Sequence, residues 1–121
     1  MKAIPSLRRQ QDLDTVFEEG HWRRLRGAVV GVYLRDDDRP TRLAVVAGRR
    51  IGTAVRRNRA RRRMREAIRG FADEIRPGAD IVLLAREATV EVDFRLLQTD
   101  IRQALEAEGL LDVVKAEDQP R

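Results

Sequence analysis

A chain of 121 residues with 42% hydrophobic content is long enough for one domain with a modest core and too apolar for wholesale disorder. No apolar run approaches the roughly 20 residues of a membrane-spanning helix, and the absence of cysteine excludes disulfides, a thiolate nucleophile and a zinc ribbon. The net charge of +5 is unevenly spread: residues 39–69 hold 12 arginines and one glutamate, while the rest carries 13 basic and 19 acidic side chains, a field that steers a polyanion to one face.

Residues 1–9 read as an irregular basic lead-in. No apolar stretch follows the charge, so they are not a secretory signal, and a cytoplasmic protein is expected. Residues 10–19 form a short helix with Leu13, Val16 and Phe17 on one side, and Gly20 is its stop. Residues 21–26 are a basic loop holding the only His and the only Trp. His21 has no second His or Cys to share a metal with, and Trp22 is read as a surface or interface residue. Residues 28–34 are rich in β-branched side chains and read as a strand apolar on both faces. Asp36, Asp37 and Asp38 make a solvated turn, since their spacing does not fit a calcium loop. A second strand over 41–47 pairs with the first as a hairpin.

Gly48 and Gly52 bracket a loop that leads into the dominant feature, residues 49–69, with ten arginines and the single acid Glu66. Thr53 is a natural N-cap, and no proline or glycine interrupts residues 54–69. Ala60, Met64, Ala67, Ile68 and Phe71 recur at the spacing of one helical face. Arg57, Asn58, Arg61, Arg62 and Arg65 fall mostly away from it. Like-signed pairs such as Arg57/Arg61 and Arg61/Arg65 each destabilise an isolated helix by a few tenths of a kcal/mol, so a polyanionic partner explains the run better than a solvated face. The helix is expected to continue to about Ile75, before Pro77-Gly78. The run 79–85, almost wholly apolar, is a central strand. After a connector at 87–92, Asp93 caps a last helix that carries Phe94, Leu97, Ile101, Ala104 and Leu105 inward and stops at Gly109. Leu110 and Leu111 cover the core edge. The fold class is α+β, a single-domain αββαβα sandwich on a small mixed sheet of three or four strands. It spans 1–121 with a core at about 7–111 and frayed ends at 1–6 and 112–121.

The run Ile51 to Glu66, with Arg57-Asn58-Arg59 at its centre, a glycine loop before it and Arg61, Arg62 and Arg65 after it, resembles the RNR helix of the bacterial ribonuclease P protein family. The flanks agree over roughly residues 7–111: a short helix with Phe17 and then Gly20, a hairpin, and a strand ending at Ala85-Arg86 before a terminal helix. The resemblance implies a subunit without an active site of its own. A large RNA is the catalyst, binds Mg2+, and cuts precursor tRNA to leave the mature 5′ end. It implies one protein monomer per RNA, no membrane, and a left-handed βαβ crossover around the basic helix, against the usual handedness rule. It assigns Arg49, Arg50, Arg57, Asn58, Arg59, Arg61, Arg62 and Arg65 to RNA contact, and Leu13, Phe17, Val30, Val32 and Tyr33 to a cleft for the single-stranded 5′ leader. Leu13 stands where the family often has an aromatic, Arg63 where it is often apolar, and Arg49-Arg50 replace the more usual lysines. Gly31 and Tyr33 leave the register of the strand's aromatic open by one or two positions.

A basic-helix DNA-binding protein would need a dimerising heptad seam or a second short-turn helix, and Pro77-Gly78 and a strand stand there instead. A stand-alone nuclease would need clustered carboxylates or a His pair. A ribosomal-type RNA-binding protein shares the charge and is the alternative reading; it predicts no effect on precursor tRNA cleavage.

Overall fold

The computed structural model describes residues 3–112. The elements are α1 (Gln10–Glu19), β1 (His21–Arg24), β2 (Ala28–Leu34), β3 (Arg42–Val46), α2 (Ala54–Arg69), β4 (Ala79–Ala85) and α3 (Phe94–Ala107), with short 3-10 turns at Arg49–Ile51, Ala72–Glu74 and Glu87–Val90. Four strands form one mixed sheet in the order β1-β2-β4-β3, with β4 antiparallel to β2 and parallel to β3. The class is α+β as expected, with a sheet strand the sequence did not reveal: His21–Arg24 is not a loop but an edge strand paired with β2. Its three basic side chains suit an edge, where charge discourages pairing with another chain.

The expected hairpin is absent, because β2 and β3 do not pair: β4 lies between them. The reason is burial. From Ala79 to Leu83 every residue of β4 is buried, so both its faces and both its edges need cover that an edge position would not give. The link from β2 to β3 carries the chain past the width of β4, and α2 returns it from β3 to β4.

Side chains alternate across this sheet. Ala28, Val30, Val32, Ile81 and Leu83 meet Met64, Ala67 and Ile68 of α2 and Leu97, Ile101 and Leu105 of α3 in the main core. On the other face Val82 packs with Val16 of α1 and Leu7, beside half-buried Leu13, Trp22, Tyr33, Ala44 and Leu84. Leu110 and Leu111 close the main core edge. The ends near the domain are held rather than frayed. Pro5 and Leu7 exchange backbone hydrogen bonds with Leu43 at 2.8 and 2.9 Å, and the Asp112 N–H donates to Glu74 O at 2.7 Å. The expected fraying at 1–2 and 113–121 lies outside the described residues.

Two helix ends differ from expectation. The α2 helix stops at Arg69, not near Ile75, because Gln98 of α3 donates its Nε2–H to the terminal carbonyl of Ala67 at 2.9 Å. A Cβ on Gly70 would stand 2.2 Å from that nitrogen, so glycine admits the amide. Gly20 does end α1, but with extended backbone (φ −77°) rather than the left-handed turn of a typical glycine stop. Its N–H donates to Val16 O at 2.9 Å. At the other end of α2, the Thr53 hydroxyl accepts the Arg56 N–H at 3.2 Å. Thr53→Ala is expected to lower stability by about 1 kcal/mol, read as an earlier urea midpoint with an unchanged slope.

Candidate nucleic-acid interface

The α2 helix buries Ala60, Met64, Ala67 and Ile68, the face its spacing marks out, and so projects its remaining side chains away from the sheet. The arginines then divide by what surrounds them. Arg56 turns to the 87–91 segment, donating to Glu87 O and pairing with Glu91 at 3.1 Å. Arg63 reaches the carbonyls of Val90, at 3.3 Å, and Val92, with its Nε buried and unpartnered, so it serves packing between α2 and that segment. Arg62 has a long i,i+4 pair with Glu66 at 3.7 Å, both side chains exposed, which contributes little. Arg61 leans on Asn58 Oδ1 and, at 3.5 Å, on Ala47 O. Among the described residues no carboxylate lies within ion-pair distance of Arg57, Arg59, Arg61 or Arg65.

Asn58, Arg59, Arg62 and Arg65 are exposed, and Arg57 and Arg61 half-buried, around the part of the helix turned away from its core-facing stripe. Arg49 and Arg50 are exposed on the 3-10 turn that precedes it. Gly52 sets that turn against the helix with φ +128°, a conformation that favours glycine. The first turn of α2 contains no acid, so the positive end of the helix dipole adds to the charge of Arg49, Arg50 and Arg57 instead of opposing it. Guanidinium groups at fixed helical intervals, aimed outward and left uncompensated, suit the phosphates of a folded RNA.

The α1 face of the sheet offers a second surface. Strand pairing sets its side chains in rows: Trp22, Gly31, Val82 and Ala44 form one, and Arg24, Val29, Leu84 and Val46 the next. Val16 of α1 covers the first. The second floors an open groove with Val29, Leu84 and Val46, lined also by Arg24, Arg26, Arg50 and Arg86 and by Glu87 and Glu91, the last paired with Arg56. Leu13, Phe17 and Tyr33 do come together on this face with Trp22. Val30 and Val32 do not. They are 1% and 3% exposed in the core beneath α2 and α3, so neither lines a surface cleft. A strand apolar on both faces gives no sign of which residues face which layer, and the residues that face the groove side are Val29, Gly31 and Tyr33. Sequence reasoning also passed over Trp22, Arg24 and Val29 here; the alternation of β1, once it is seen as a strand, is the signal that finds the first two.

At the other end of this face Asp80, 2% exposed, accepts from Arg42 Nε at 2.8 Å and Nη2 at 2.7 Å, and from Arg35 Nη1 at 2.6 Å. Arg42 continues to Asp12 of α1 at 3.2 Å, tying that helix to the sheet. Arg35 also grips Asp37 through two hydrogen bonds of 3.0 Å, which hold the Asp37 carboxyl well below the usual carboxylate range.

A protein-family model described as Ribonuclease P matches residues 1–108. The ribonuclease P protein component of Symbiobacterium thermophilum is 38% identical over 111 residues, covering 92% of this chain and 96% of the relative. Among solved structures, the RNase P protein from Thermotoga maritima is similar with a TM-score of 0.72 at 31% identity, over 84% of this chain and 96% of that one. The Staphylococcus aureus RNase P protein has the same fold, with a TM-score of 0.73 at 23% identity over 91% of this chain and 99% of that one.

Proposed function

The chain belongs to the ribonuclease P protein family, and from that membership we propose that it is the protein subunit of a ribonuclease P ribonucleoprotein acting on precursor tRNA in the cytoplasm. One copy docks on the ribonuclease P RNA through α2 and holds the single-stranded 5′ leader against the α1 face of the sheet. The RNA subunit carries the catalytic centre and cuts the leader away. Mg2+ belongs to that RNA in this reading.

The observation that carries the reading is the row of arginines left without carboxylate partners on a helix whose other side is locked into the core. Such a row raises the energy of the isolated protein and lowers that of a complex with a polyphosphate. The open groove supports the second half: an apolar floor beside guanidinium groups binds single strands with little sequence preference. With about five to eight phosphates neutralised, affinity for the RNA falls by orders of magnitude as salt rises through the physiological range.

Cleavage assays test the division of labour. The protein alone is expected to leave precursor tRNA intact, and with its RNA to stimulate cleavage at low Mg2+. Turnover by the protein alone that survives repurification overturns the assignment of catalysis to RNA. A protein that binds RNA yet never stimulates cleavage favours the ribosomal-type reading.

A further inference from the structure

The β1 strand brings the only tryptophan of the chain onto the groove side of the sheet. Trp22 stands opposite Gly31 in the β1–β2 register. A Cβ on Gly31 would lie 2.5, 2.5 and 2.6 Å from Cη2, Cζ2 and Cζ3 of the indole. Near-equal distances to three consecutive ring atoms occur above a ring and not beside its edge. The indole therefore lies face down on the Gly31 backbone, where any side chain would displace it. Its Nε1–H donates to Val16 O at 3.2 Å, which ties the ring to the last turns of α1.

Phe17 stacks on this indole with ring centroids 5.2 Å apart and planes inclined by 21°. Gly31 occupies one face of the indole, so Phe17 takes the other. The result is a ladder: strand backbone, indole, phenyl. The ladder is anchored below and open above, since Phe17 is 47% exposed. A phenylalanine with about half its surface exposed contributes little to a core, and the indole stacked beneath it restricts the orientation of its ring. Arg24, two residues along β1 and on the same face as Trp22, places a guanidinium beside the ladder at the groove.

Resting on the leader-binding reading above, we propose that Trp22 is a positioning residue: seated on Gly31, its indole holds the Phe17 ring as a platform on which one unpaired base of the leader stacks. Every base has a π-face, so such a platform accepts any nucleotide. Arg24 and Arg26 bind the flanking phosphates.

The test uses holoenzyme reconstituted with the RNA subunit and compares equilibrium affinity for leader-bearing precursor tRNA with that for mature tRNA. Trp22→Ala is expected to reduce the preference for precursor about tenfold and leave the affinity for mature tRNA unchanged. Trp22→Phe keeps most of the preference. Gly31→Ala, which pushes the indole off its seat, reproduces the alanine effect. Scanning an abasic nucleotide through the leader locates one position at which the Trp22→Ala loss disappears. Two results overturn the proposal: a precursor preference that none of these variants changes, or a loss that falls equally on precursor and mature tRNA, as a purely structural role requires. If the wild-type holoenzyme itself shows no preference for the leader, the leader-binding reading falls and takes this inference with it.

Discussion

Replacing Arg57, Arg61 and Arg65 together by glutamate is expected to weaken binding of the ribonuclease P RNA by at least about a thousandfold while the protein stays folded. The three side chains occupy successive turns of one side of α2, and none has a carboxylate partner among the described residues. Each reversal removes a charge-assisted contact and installs a repulsive one, taking the formal net charge from +5 to −1. The fold loses little. The hydrogen bonds of Arg61 to Asn58 and Ala47 disappear. Against that, the like-charge repulsion along the row is relieved, and the Arg57→Glu change sets an acid near the positive end of the helix dipole. The variant should therefore show native circular dichroism and a thermal midpoint close to that of the parent. The salt dependence of any residual binding should also flatten, its log–log slope smaller by about two to three, as expected if three phosphate contacts have gone. Unchanged affinity in a protein with intact circular dichroism would refute the docking role of α2.

What the sequence disclosed follows the strength of local signals. The bounds of α1, the span of β2, the Asp93 cap of α3 and the buried face of α2 are each set by neighbours within a turn or two. Asp93, for example, accepts the N–H groups of Arg95 and Leu96. Features set by distant contacts were hidden. The end of α2 depends on Gln98, 31 residues from the carbonyl it caps. The strand character of His21–Arg24 comes from pairing with β2, since three of its four residues are exposed and their side chains record no burial pattern. The neighbouring apolar runs 28–34 and 41–47 suggest a hairpin, but a strand buried on both faces needs a neighbour on each edge, and β4 takes the place between them. In the candidate site the outward direction of Asn58, Arg62 and Arg65 was legible from helical period alone. The facing of Val30 and Val32 was not, because valine on both sides of a strand leaves its two-residue period without a label.

The buried carboxylate in β4 should govern stability. Asp80→Asn is expected to cost about 3 kcal/mol, a large part of the 5–15 kcal/mol typical of a domain, and to lower the thermal midpoint by about 10 °C. The Asp80 side chain is 3% exposed and the Arg35 side chain 7%, so water cannot take over the neutralising role. An amide oxygen in the place of Oδ1 still accepts from Arg35 Nη1 and Arg42 Nε but carries no charge, and the NH2 in the place of Oδ2 faces the Arg42 guanidinium. The cost sits at the low end for a broken buried pair because Arg42 is 26% exposed and keeps Asp12, while Arg35 keeps Asp37 and the carbonyls of Arg39, Pro40 and Ala79. The asymmetry of the network supplies the control. Arg42→Gln removes one of two cations from a carboxylate that Arg35 still neutralises, so it should cost clearly less than Asp80→Asn, and adding it to Asp80→Asn should cost less than the two separate effects combined. Urea titrations of the parent, both single variants and the double variant measure all three quantities. Equal costs for the two single variants, or strict additivity, would show that Asp80 is not the hub of this network. Because Arg42 also holds Asp12, the Arg42→Gln protein should in addition lose backbone amide protection in α1, the helix that carries Phe17.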